Sequence, residues 1–100
     1  MRKANNTQVI AINKLMLNTT ESYVNTFVND DESDVTSLTM YADDVAHNIN
    51  ALVAFNATKD AEALHNSIML QDTLVREYYY NVLVYIETNM LVPANMCACK

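Results

Sequence analysis

The chain has 100 residues, of which 51% are apolar and 18% charged, enough apolar mass for one small domain with a core and too little for two. With 0 Gly and 1 Pro, a Gly-rich phosphate loop, a dinucleotide-binding turn and tight primed hairpins are excluded. The 6 basic residues stand against 12 acidic ones, a net charge of −6. So few Lys and Arg disfavour direct nucleic-acid binding, which needs them to displace counterions from phosphate.

Three helix-length patterns run along the chain, separated by two polar breaks. The first covers about 7–28. Val9, Ile10, Met16, Leu17, Tyr23, Val24 and Phe27 form a core-facing stripe, with Asn6 or Thr7 as cap. Ile12 and Leu15 fall off that stripe, where a third element or a partner can meet them. The break from Asn29 to Asp34 is a turn by composition.

The second pattern covers about 35–55. Val35, Leu38, Ala42, Val45, Ile49 and Leu52 recur at three and four residues, a seam of a and d positions. That seam places Asp43, Asp44 and His47 on the opposite, solvent face. The next break, Asn56 to Lys59, is short, so the flanking helices should be antiparallel neighbours, with Thr58 as the cap.

The third pattern covers about 59–91 and ends at Pro93. Ala61, Leu64, Ile68, Val75, Tyr78, Val82 and Tyr85 continue the seam, with Gln71 its one polar interruption. A straight helix of that length would be roughly 50 Å long, against roughly 33 Å for each of the others. Either its last turns overhang the bundle, or a bend near Gln71 and Asp72 folds them back as a fourth helix. From Tyr78 onward the segment is apolar on nearly every face, so it must be buried all round. Tyr79 and Tyr80 lie off the seam, where a rigid ring with a polar tip suits an interface. The expected fold is all-α: a three-helix bundle over 7–28, 35–55 and 59–91, a single domain over 1–92 and a tail over 93–100.

Charge is unevenly placed. Between Lys14 and Lys59 there is no Lys or Arg, while Asp30, Asp31, Glu32, Asp34, Asp43 and Asp44 all fall there. A one-signed field of this kind steers basic partners. Met40 sits beside Asp43 and Asp44 on the outer face of the second helix.

Motifs for chemistry are thin. Asp44-x-x-His47 and Glu62-x-x-His65 have the spacing of half a di-metal carboxylate site, but the seams turn Asp44 and His47 to solvent and leave Glu62 and His65 at the edge. The acidic turn lacks the Gly of a calcium loop, Val35 taking its place, and Tyr41 stands where the last acid belongs. Cys97 and Cys99 make a weak thiolate pair at the end of the tail. No nucleophilic triad is readable, so no enzyme and no cofactor are expected. The basic start precedes no long apolar run, and Val82–Ile86, the longest apolar stretch, is far too short to span a bilayer. A cytoplasmic protein without membrane contact follows, in a host cell if the source is viral.

The expected function is contact with another protein. In composition alone the chain is similar to small inhibitors encoded by phages and mobile elements, which implies a target with a basic groove, such as a host nucleic-acid-binding or defence protein. The acidic contacts would be Asp30, Asp31, Glu32, Asp34, Asp43 and Asp44. The apolar ones would be Met40, Tyr79, Tyr80, Leu83 and Ile86. The alternative is a self-assembling homodimer in which the third helix pairs with its copy through Tyr79, Leu83 and Ile86. A metal-binding bundle using Asp44, His47, Glu62 and His65 is the remote third reading.

Overall fold

A computed structural model describes residues 3–28 and 35–91. Every regular element in them is helical: α1 (Asn6–Val28), α2 (Val35–Thr58), α3 (Ala61–Met69), α4 (Thr73–Tyr78), α5 (Tyr80–Ile86) and a closing π-helical turn, Glu87–Leu91. The all-α expectation holds, while five helices replace the three-helix bundle. The acidic turn and the tail beyond Leu91 lie outside the described residues.

The start of α1 is fixed by a reciprocal cap. Asn5 Oδ1 accepts the Gln8 N–H at 2.9 Å, and Gln8 Oε1 accepts the Asn5 N–H at 3.0 Å. This satisfies two donors that a helix start leaves free, and it moves the cap one residue ahead of Asn6. The Ala4 N–H then donates to the Lys59 carbonyl at 2.8 Å, clipping the chain start to the α2–α3 corner. At that corner Lys59 takes a left-handed φ of 60°, the conformation that ends many helices and that glycine adopts most readily. Asp60, rather than Thr58, caps α3, accepting the Ala63 N–H at 3.1 Å.

The long third helix breaks where its seam is interrupted. The Gln71 N–H bonds the Ile68 carbonyl at 3.1 Å, a tightened last turn, and Asp72 is extended with ψ 156°. Gln71 points inward and exchanges two side-chain hydrogen bonds with Asn48 of α2, at 3.1 and 2.6 Å. The break folds the apolar segment back, so that α5 packs on both α1 and α3. At Tyr79 the helix is irregular, yet the Tyr79 N–H still reaches the Val75 carbonyl and the Leu83 N–H the Tyr79 carbonyl, at 3.1 and 3.0 Å. The α4–α5 join is therefore a kink within one rod.

The core joins Ile12, Met16 and Tyr23 of α1 to Leu52 and Phe55 of α2 and to Leu64, Ile68, Val75, Tyr79, Val82, Leu83 and Ile86. Two stripes are turned from their expected positions. On α1, Ile12 is fully buried and Leu15 packs on the core, while Ile10 and Leu17 are 68% and 54% exposed. On α2 the buried line runs through Asn48, Leu52 and Phe55, while Leu38 and Ala42 are exposed. At about 100° per residue this is a rotation of roughly 70°. The cause is pairing: Asn48 meets Gln71, and Asp44 meets the Tyr23 hydroxyl. A polar side chain with a partner can be buried at little cost.

The described residues measure 50 × 30 × 19 Å. A helix with its side chains is about 10–12 Å across, so the protein is a slab two helices thick, and each helix keeps one side in water.

Candidate interaction surface

Beneath α2 the polar groups are mutually satisfied. The Tyr23 hydroxyl donates to Asp44 Oδ2 at 2.8 Å. The Tyr79 hydroxyl and Thr20 Oγ1 lie 2.6 Å apart. The Tyr23 ring meets Tyr78 and Tyr41 edge-on, at centroid distances of 5.0 and 6.2 Å, the geometry aromatic quadrupoles favour. Burial, reinforced by the Asp44 carboxylate, pushes the Tyr23 phenol far above its ordinary value. Burial also raises Tyr79, against the opposing hydrogen bonds of Thr20 and Asn48. Both phenols are held protonated, as structural donors.

Asp44 is therefore half-buried and engaged, not a free acidic contact. The other three members of the metal quartet do not join it. His47 Nε2 lies 2.9 Å from Ser67 Oγ and 3.3 Å from the Ser67 carbonyl oxygen, and His65 Nε2 lies 2.7 Å from Glu87 Oε2. Glu62 is exposed. Among the described residues no group of three or more His, Cys, Asp or Glu is placed to hold a metal ion.

The Ser67–His47 contact is a pairing that spacing along the chain could not reveal. It has the reach of a nucleophile and its base. Ser67 lies inside α3, however, where the neighbouring N–H groups are spent on the helix ladder and offer no donors to a developing oxyanion. The hollow beside it is only about 140 Å³. Its evident work is to strut α2 against α3, as His65–Glu87 straps the π-helical turn to α3.

The remaining contact candidates divide sharply. Tyr79, Leu83 and Ile86 are buried within the chain, because the bend at Gln71–Asp72 carries them onto α1 and α3. They cannot serve as a dimer surface, and Val82 and Met90 of the same apolar segment are likewise covered within the chain. Tyr80, by contrast, is 63% exposed, and Met40 58%. Asp43 is exposed one turn from Met40. Asp30, Asp31, Glu32 and Asp34 lie outside the described residues.

One open apolar feature was not expected from the sequence. Between α1 and α2 lies a groove of about 520 Å³ whose lining includes Tyr23, Val24, Leu38, Ala42, Val45 and Ile49. Four of these belong to the second helix's expected core seam, so that seam faces an open groove. Leu17 and Ile10 continue the apolar line from Val24 toward the start of α1, at seven-residue spacing. That spacing was the available signal, masked because the same residues also fit a core stripe. No helix among the described residues is long and apolar enough to cross a membrane. Compared with known protein families, with curated proteins and with solved structures, the chain matches none.

Proposed function

We propose that this protein is a non-catalytic interaction module that docks on a protein with a basic surface and blocks or adapts it. The observation that carries the reading is the outer side of α2, where exposed Met40 stands one turn from exposed Asp43 on a helix that holds no Lys or Arg. An apolar side chain bordered by charge of one sign suits a contact surface. Asp30, Asp31, Glu32 and Asp34, which precede α2 in the sequence, extend the same sign along the chain. The target such a surface suits best is a basic groove of the kind that holds nucleic acid, in a host nucleic-acid-binding or defence protein.

The test is affinity capture of the tagged protein with lysate of its native host, at low and moderate salt. A stoichiometric partner should be weakened by salt and lost with Met40→Ala/Asp43→Lys. Capture that this double variant leaves intact, or that salt does not weaken, refutes the acidic docking surface.

A further inference from the structure

The outer face of the α1–α2 hairpin is apolar and open, on a different side from Met40 and Asp43. Its apolar line on α1, Ile10, Leu17 and Val24, drifts by only ~20° per seven residues, so the three side chains share one stripe. Ile10 and Leu17 are among the most exposed apolar residues of the chain, as is Val53 on α2 at 62%. Lys14 and Glu21 flank the stripe, and neither makes an ion pair within the described residues.

We infer that the occupant of this face is a second copy of this chain, packed across it antiparallel about a two-fold axis at Leu17. Charge selects the copy. Lys14 and Glu21 are placed symmetrically about Leu17 to within one residue, so the axis brings Lys14 of one copy against Glu21 of the second copy, twice. The two helices agree on that axis. The Asn13–Asn56 and Tyr23–Asp44 hydrogen bonds set the register of the hairpin and place Leu17 level with about position 51 of α2. Ile49 and Val53 are centred on that position, so the same axis sets Ile49 against Val53 of the second copy. It also carries Ile10 over the groove beside Val24 of the second copy, a knob for each hole. About that axis α1 overlaps its copy along ~34 Å and α2 over 44–58 along ~22 Å, so at ~9 Å spacing the face is ~500 Å² per copy, or ~1,000 Å² in total, the least a specific interface needs. Met40 and Asp43 lie on another side of α2 and stay uncovered in such a dimer.

The experiment is sedimentation of the full chain from about 1 μM to about 1 mM. The wild type should dimerise reversibly. Leu17→Asp should be monomeric with its helical circular dichroism unchanged, and Ile10→Asp serves where Leu17→Asp disturbs folding. Lys14→Glu and Glu21→Lys should each weaken the dimer about tenfold at low salt. Their combination should restore it to within about threefold of wild type. A wild type monomeric at about 1 mM, a dimer that survives both Asp variants, or a double charge reversal weaker than either single one overturns the inference. None of these results bears on capture through Met40 and Asp43, which the Met40→Ala/Asp43→Lys variant tests by itself.

Discussion

Replacing Gln71 by Ala tests the bend that organises the C-terminal third of the fold. Gln71 gives Asn48 two hydrogen bonds, at 3.1 and 2.6 Å, and Asn48 is wholly inaccessible. After the substitution the Asn48 carbonyl loses its partner, while the Asn48 amide keeps the Tyr79 hydroxyl. A buried orphan costs about 1–3 kcal/mol. The half-buried Gln71 side lets water reach the site, so the lower part of that range applies. The expected loss is about 1–2 kcal/mol, or about 5–15 °C in Tm at about 4–8 °C per kcal/mol for a domain of this size. Replacing both residues by Leu removes the orphan together with the bonds and should cost about 1 kcal/mol or less. Urea and thermal unfolding followed at the helical dichroism band would measure both variants. A Gln71→Ala protein within about 0.5 kcal/mol of wild type, or a double Leu variant less stable than the single, refutes the claim that this amide pair fixes the bend.

Lys59→Gly should stabilise the chain by about 0.5–1 kcal/mol in chemical denaturation, since a left-handed residue with a Cβ is strained by about 1–2 kcal/mol and glycine's added freedom when unfolded offsets part of the relief. Asn5→Ala removes one half of the α1 cap and should cost about 1 kcal/mol in the same assay. The raised phenols of Tyr23 and Tyr79 set the alkaline limb of stability. Below the ordinary phenol value of 10.0 both states bind the proton and the folded state loses nothing. Above it only the unfolded state releases protons, so Tm should fall as the pH rises past that value, and Tyr23→Phe should flatten the fall. Tyr80→Ala, at a ring 63% exposed, should leave Tm within about 2 °C of wild type.

Periodicity made the helices legible and their facing much less so. α1 and α2 begin within a residue of their expected starts because polar breaks bound long apolar patterns. The facing of α2 was not legible, since hydropathy ranks Asn48 and Asp44 as surface residues. Only the partners that α1 and the bend supply, Tyr23 and Gln71, make their burial cheap. The break at Gln71 had a visible sign, a polar residue in an apolar seam, together with a rod too long for its neighbours. The candidate surface was partly legible. Met40 and Asp43 stand out from spacing alone, whereas the burial of Tyr79 and exposure of Tyr80 depend on where α1 lies, which no local pattern contains. The His47–Ser67 and His65–Glu87 contacts join residues 20 and 22 positions apart, beyond the reach of helical spacing.

The hydrogen bond between Thr20 and Tyr79 spans 59 positions, and that distance has a meaning during synthesis. The inner face of α1 is complete early but is closed by a segment that leaves the ribosome 59 positions later. At about 5–20 residues per second the delay is roughly 3–12 s. For that interval Ile12, Met16 and Tyr23 can be sheltered only by α2, on one flank. A nascent chain stalled before Tyr79 would thus present an apolar helix to the chaperone machinery, and the return of α5 is the event that ends its vulnerability.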